Sequence, residues 1–495
     1  MIDRPASTHS GASRRPQAWL GVVVAAVLVV AAACAGNPSD GTGSAPATST
    51  PGTGGYRPPP GANATTTTEP PPVSVAPPTT TAPTTTVPST PSQPTPDLAG
   101  VTLREIDGGA DYFGQWSNSF RTDPTFFPIG VWAESFADDQ NARNIINNYE
   151  TMGINFFPEP YGMPNGIANY LVGKGMYTAS DSTQAVNAAQ KTTDEPDWRG
   201  CHPESGNIAA EAPSWVGRCT TIGSSTGAKD SGPISPSFLQ TWSDGLRQRD
   251  PARPVYGQFT HAEKAGIPGC QEYWNNETVA RAYFASADII SFDWYVLTHP
   301  WSPDECRYVW YQGDAVANAR RLSDYSKPVM PFIETSYIFE DNDYRPTAAD
   351  VNAEVWNAII GGARGIQYFN HDFRTGTARV LQDRRFTDIT AQVTATNARI
   401  RGLAPVLNSP FADGLATVAG GSASVMTKAY DGSYYVFVAP RTTASQSVTL
   451  QLADGAFASA TVLDENRTVP VVNGQLVDSF ADQNTIHIYK LTPGS

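Results

Sequence analysis

Val329-Met330-Pro331-Phe332-Ile333 is a short apolar run that ends in Glu334-Thr335. Fourteen residues after Ile333, Thr347-Ala348-Ala349-Asp350 resembles a capping box, and Val351, Val355 and Ile359 then fall on one helical face. Ile366-Gln367-Tyr368-Phe369 is a second apolar run, followed by Asn370 and His371. An apolar strand, a capped amphipathic helix and another apolar strand make one unit of a parallel sheet.

The same alternation extends back toward the N-terminus. Strands are predicted at Phe126 to Trp132, Ile154 to Phe157 and Met176 to Ala179, with a fourth ending near Glu195. Val255 to Phe259 and Ile289 to Tyr295 are the fifth and sixth, and the two runs quoted above are the seventh and eighth. Helical faces lie between them: Ala142, Ile145, Ile146, Tyr149 and Met152 on one, then 166–174, 236–249, a face marked by Val279, Tyr283 and Phe284, and 313–322. A last helix spans Phe386 to Leu403. Eight strands alternating with helices predict an α/β fold, a (β/α)8 TIM barrel over residues 98–403. From Ala404 the pattern turns all-β. Asp431-Gly432 and Asn473-Gly474 sit between β-rich segments as hairpin turns, which predicts a small C-terminal β-sandwich over 404–495.

The start of the chain reads as an address. Arg4, Arg14 and Arg15 precede the apolar run Ala18 to Ala33, and Cys34-Ala35-Gly36 follows. That is the layout of an exported signal over residues 1–34, with Cys34 where a lipoprotein signal carries its acylated cysteine. Plain secretion and an uncleaved anchor are the alternatives. Residues 35–97 are mostly Pro, Thr, Ser, Gly and Ala, a composition that cannot bury enough apolar surface to order itself and reads as a disordered linker. The expected location is the cell surface, lipid-anchored to the membrane. The net charge of −14 leaves no electrostatic footprint for nucleic acid. Without Cys34, four cysteines remain: Cys201, Cys219, Cys270 and Cys306. An even number in an exported chain points to disulfides. Pairing by nearness favours Cys201–Cys219 and Cys270–Cys306 among three connectivities, with free buried thiols as the alternative.

In a barrel of this kind, chemistry sits at the C-terminal ends of the strands. Those ends carry Trp132 and Glu134, then Glu159 and Tyr161, then Asp194-Glu195-Pro196-Asp197, Asp293-Trp294-Tyr295, Glu334, and Asn370-His371. The rim is rich in carboxyls and aromatics and has no cysteine or phosphate-binding loop. Two carboxyls suit glycosidic cleavage, one protonating the leaving oxygen and the other attacking carbon or activating water. Neither a metal nor an organic cofactor is implied.

These residues resemble those of the clan A glycoside hydrolases, retaining (β/α)8 barrels with glutamates after strands four and seven. Asp194-Glu195-Pro196 is similar to the clan's Asn-Glu-Pro motif, and Ile333-Glu334-Thr335 to its nucleophile strand. Pro128-Ile129-Gly130-Val131-Trp132 looks like the opening strand of bacterial members. The resemblance implies Glu195 as general acid and base and Glu334 as nucleophile, facing each other across one sugar-sized gap. It also implies a hydrogen bond from Tyr295 to Glu334. Trp132, Glu159, Asp194, Asp293, Tyr295, Asn370 and His371 are the expected substrate-binding residues, and a polysaccharide or oligosaccharide the expected partner. Asp194 stands where the clan has Asn, and its charge would raise the pKa of Glu195. Bland readings stand beside these. Asp-Glu-Pro also starts helices, Asp293 could pair with Arg364, Trp294 could be core, and His371 could simply pack. A barrel that binds glycan without cutting it is the alternative function.

Overall fold

The computed structural model describes residues 95–136, 139–198, 233–270, 275–299, 302–339, 344–453 and 457–493. The signal with Cys34, the linker up to residue 94, and the Cys201–Cys219 pair lie outside the described residues.

Eight parallel strands close into a barrel. They are β2 (Ile129–Val131), β3 (Phe156–Pro158), β4 (Tyr177–Ser180), β5 (Asn187–Lys191), β6 (Val255–Phe259), β7 (Ile289–Phe292), β8 (Val329–Glu334) and β9 (Ile366–Phe369). The ring closes where β2 pairs with β9, Ile129 opposite Ile366. Along β8, alternation sorts side chains into layers. Val329 and Ile333 join the core between strands and helices. Met330 joins a lower interior layer with Phe156, Tyr256 and Ile289. Phe332 joins an upper layer with Trp132, Tyr295 and Phe369.

Among the described residues seven α-helices wrap the barrel: α1 (Asp139–Thr151), α2 (Asn165–Gly173), α3 (Pro236–Arg249), α4 (Glu277–Ala285), α5 (Trp310–Leu322), α6 (Ala348–Ile360) and α7 (Thr387–Leu407). The expected capping box is present at α6, with Thr347 and Asp350 bonded reciprocally. Ser235 caps α3 ahead of Pro236, and Asn276 caps α4.

The connection from β4 to β5 has no helix. Residues 181–186 make that crossover as a short loop, and β5 ends at Lys191, four residues before Glu195. The weak apolar signal of this strand has a physical reason: its polar side chains are buried because each finds a partner. Asn187 accepts from Thr178 and Ser180 and donates to the carbonyls of Ser180 and Ser182. Gln190 accepts from Arg249 at 3.0 Å and donates to the Ser182 carbonyl. Arg253 reaches the carbonyls of Gln184 and Asn187. These bonds do the work a crossover helix does elsewhere.

Ten antiparallel strands form the C-terminal sheet, in the order β1 (Thr102–Arg104), β10 (Phe411–Asp413), β12 (Ala423–Tyr430), β13 (Ser433–Pro440), β18 (His487–Leu491), β15 (Ser459–Val462), β16 (Arg467–Val472), β17 (Gln475–Phe480), β14 (Gln446–Leu452) and β11 (Ala416–Gly420). The first, β1 (Thr102–Arg104), comes from before the barrel and pairs with β10 (Phe411–Asp413). The central strand β13 (Ser433–Pro440) is buried on both faces. Tyr434, Val436 and Val438 face a core shared with β14 (Gln446–Leu452) and β17 (Gln475–Phe480). Tyr435, Phe437 and Ala439 join the core of the barrel layer, where Phe437 stacks on Trp356 of α6. Ion pairs Arg441–Asp314 and Arg399–Asp464 fasten the seam.

Candidate active site

The barrel mouth gathers the side chains that the sequence placed at strand ends. Just beyond β2 the backbone turns left-handed at Ala133 (φ 60°); beyond β3 and β5 it does so at Glu159 (φ 54°) and Glu195 (φ 45°). Non-glycine residues in that region carry strain, and such positions concentrate at functional sites.

Trp132 forms one wall, stacked on Phe369 with ring centroids 5.3 Å apart. Its indole Nε1 donates to Glu159 Oε2 at 2.9 Å. The same oxygen receives Lys191 Nζ at 2.9 Å, and Lys191 also lies 3.5 Å from Asp194 Oδ1. Burial works against the Lys191 cation, but Glu159 and Asp194 more than offset it and hold its pKa above the ordinary value. Lys191 therefore stays charged and neutralises part of an acidic mouth. It is a site residue that sequence reasoning missed, because it lies in the strand with the weakest pattern.

Glu195 is only 8% exposed, and Asp293 is hydrogen-bonded to it. Burial, then the charges of Glu195 and Asp194, push the Asp293 carboxyl well above the usual carboxylate range. Two carboxyls this close favour a shared proton over two charges. Tyr295 packs against Phe369 at 5.0 Å, in the electrostatic field of Asp293, Glu195, Asp194 and Glu334, and burial followed by these charges pushes its hydroxyl up.

Glu334 ends β8 and is 0% exposed. Its Oε1 accepts from the Leu297 amide at 2.6 Å and its Oε2 from the Thr298 amide at 2.9 Å. The expected bond from Tyr295 is not made; the loop after β7 supplies backbone donors instead. Burial pushes Glu334 up to about 7, against the pull of those hydrogen bonds. Behind it, Glu354 of α6 is buried and also pushed up, by burial and then by Glu334. Phe339 packs over this region against Tyr295 and His299.

Several expectations change. Asn370 is engaged by its neighbours in the barrel wall. Its Nδ2 donates to Glu134 at 2.7 Å and to Tyr149 at 2.6 Å, and its Oδ1 accepts from the Leu381 amide. Glu134 itself is turned from the rim into that network, bonded also by Tyr149 and Arg379. Asp293 does not pair with Arg364, which precedes β9 at the opposite end of the barrel and binds the carbonyls of Asp107 and Gly109. Trp294 is wholly buried and belongs to the core. His371 packs among Trp132, Phe369 and Phe373 and is held neutral, with burial pulling it down to about 4. Asp197 accepts from the amides of Thr260, His261 and Ala262, tying the loop after β5 to the loop after β6.

Cys270 and Cys306 form the expected disulfide, which links the segment before α4 to the segment before α5. Among the described residues no group of three or more His, Cys, Asp or Glu could hold a metal ion.

No protein-family model and no curated protein matches the chain. Solved structures do. The chain is similar to an α-amylase from Geobacillus thermoleovorans complexed with acarbose, at 12% identity and a TM-score of 0.45, covering 76% of this chain and 100% of that one. It is similar to a GH30 endoxylanase from Clostridium papyrosolvens at 12% identity and 0.38, covering 80% and 98%. An Anoxybacillus α-amylase gives 10% and 0.43, covering 79% and 96%. Identities and scores this low bear on neither activity nor substrate.

Proposed function

We propose that the protein is a retaining glycoside hydrolase of the clan A type, acting on a cell-envelope or environmental polysaccharide. In this reading it is exported and held at the cell surface by a lipid on Cys34. The observation that carries the reading is the buried Glu195–Asp293 carboxyl pair at the mouth of a closed barrel, beside an aromatic wall.

Glu195 donates a proton to the glycosidic oxygen as the bond to the anomeric carbon breaks. Glu334 attacks the same carbon and forms a glycosyl-enzyme ester. Water then adds, giving its proton back to Glu195, and the ester carbon–oxygen bond breaks to free Glu334. Asp293 positions Glu195 and keeps the proton shared. The amides of Leu297 and Thr298 occupy one site on each Glu334 oxygen, and a carboxylate has about four, so a lone pair is left for attack. Trp132 offers its face to a sugar ring, while Glu159, fixed by Trp132 and Lys191, offers its other oxygen to hydroxyls.

One observation favours a second reading, glycan binding without cleavage: Glu334 has no exposed surface.

Reducing-end release from envelope galactans, arabinans and β-glucans, with product anomers followed by NMR, tests both. Cleavage with retention, lost in Glu195→Gln and Glu334→Gln while circular dichroism stays unchanged, supports the hydrolase. Binding without release supports the second reading. Activity that survives Glu334→Gln but not Asp293→Asn would move the second carboxyl to Asp293 and end the assignment of Glu334.

A further inference from the structure

We propose that the N-terminal face of the barrel carries a second binding site, for a small carboxylate or phosphate group, built around Arg364. This face is opposite the mouth, and the inference does not depend on what the mouth does.

A cavity of about 210 Å³ opens there, between the approaches to β2 and β9. Its lining includes Phe113, Arg121, Asp123, Phe126, Arg364 and Asn408. That volume is several times the roughly 30 Å³ occupied by one water molecule in the liquid.

Arg364 is only 8% exposed. Its Nη1 donates to the carbonyls of Asp107 at 2.5 Å and Gly109 at 3.0 Å, which accounts for one corner of the guanidinium. Its Nε is buried with no hydrogen-bond partner among the described residues. Leaving a buried charged donor unmet is costly. Nε and Nη2 together form the side of a guanidinium that grips an oxyanion through two parallel bonds.

The surroundings leave this cation short of countercharge. The Asp107 carboxylate, whose charge acts on Arg364, is committed to Arg320 and also lies 3.5 Å from Arg104. Buried Lys428 has its pKa pulled down by burial first and then by the positive charges of Arg320 and Arg364. Burial pulls Arg364 itself down to about 10, and Asp107 and Tyr112 resist only in part. At the rim, Asp123 is taken by Arg121 at 2.9 Å. Asp111, also in the lining, is exposed. Phe113 and Phe126 wall the cavity, and the Arg364 guanidinium lies 5.5 Å from the Phe113 ring. The site thus fits an oxyanion with some apolar body, whether a free ion or the acid group of a sugar.

Isothermal titration of the whole protein with inorganic phosphate and, separately, with glucuronate distinguishes those sources, with ionic strength held constant by sodium chloride. One saturable site for either anion is expected. Arg364→Met should weaken it at least about tenfold, the scale of one charge-assisted hydrogen bond. Because Arg364 also fastens two carbonyls, that variant could misfold. Arg364→Lys keeps the charge without the fork and should also weaken binding, while Asp111→Asn, at the exposed rim, should tighten it. Binding of phosphate alone identifies a free oxyanion, and binding of glucuronate alone a sugar acid. No binding of either anion, or binding unchanged in Arg364→Lys and Asp111→Asn, overturns the proposal.

Discussion

Replacing Glu334 by Gln should change how stability depends on pH, whatever it does to activity. The wild-type carboxyl has an ordinary value of 4.5 when unfolded and about 7 in the folded protein, with burial as the main cause. Because the folded value lies above the unfolded one, the stabilising contribution is complete below pH 4.5 and is lost as pH rises through 7. At about 1.4 kcal/mol for each pH unit, that interval amounts to about 3 kcal/mol. Gln does not titrate, so the variant escapes this loss. It carries a different and constant cost: its amide nitrogen must face the Leu297 or Thr298 amide, two donors together, at about 1–3 kcal/mol. The variant should therefore be the less stable protein near pH 5 and should draw level or pass the wild type by about pH 8. Urea unfolding of both proteins across that range measures the gap directly. Two stability curves that run parallel would refute the reasoning, since they would show that Glu334 ionises as readily in the fold as in water.

Other expectations follow from separate parts of the molecule. Glu134→Ala takes the acceptor from the Tyr149 hydroxyl and the countercharge from Arg379, and should cost about 3–5 kcal/mol in urea unfolding. Serine at both Cys270 and Cys306 reopens a 36-residue separation and should cost about 4 kcal/mol, seen as a lower melting temperature than that of the unreduced wild type. Thr347→Ala removes the α6 cap, and unfolding should show a loss of about 1 kcal/mol with the mouth unaltered.

Much of the barrel was legible because its signals are local. The strand at 329–333, the cap at Thr347 and the strand at 366–369 each lie within a few residues, and the structure places all three as read. The Cys270–Cys306 pairing followed from nearness in the chain. The fourth strand was not legible as a strand, because Asn187 and Gln190 are buried by partners as distant as Arg249 and Arg253. Between β4 and β5 the chain runs as a short loop, without a helix. At the mouth, residue types told which positions carry carboxyls but not which way they turn. Glu134 and Asn370 share strand ends with Trp132 and His371, yet Arg379 and Tyr149 hold Glu134 in the wall, and Asn370 donates to it there. The donors to Glu334 are backbone amides, which no side-chain pattern announces.

The pairing of β1 with β10 has a practical consequence for anyone dividing this protein. A gene cut after Leu407 would leave Thr102–Arg104 without their neighbour and bare the surface of α6 on which Phe437 now rests. A fragment starting near Phe411 would lose its outermost ribbon and expose Tyr435 and Phe437 to solvent. Neither half is expected to survive alone. Heat should melt both together in one step, and enzymology or crystallography on this molecule should begin from the undivided polypeptide.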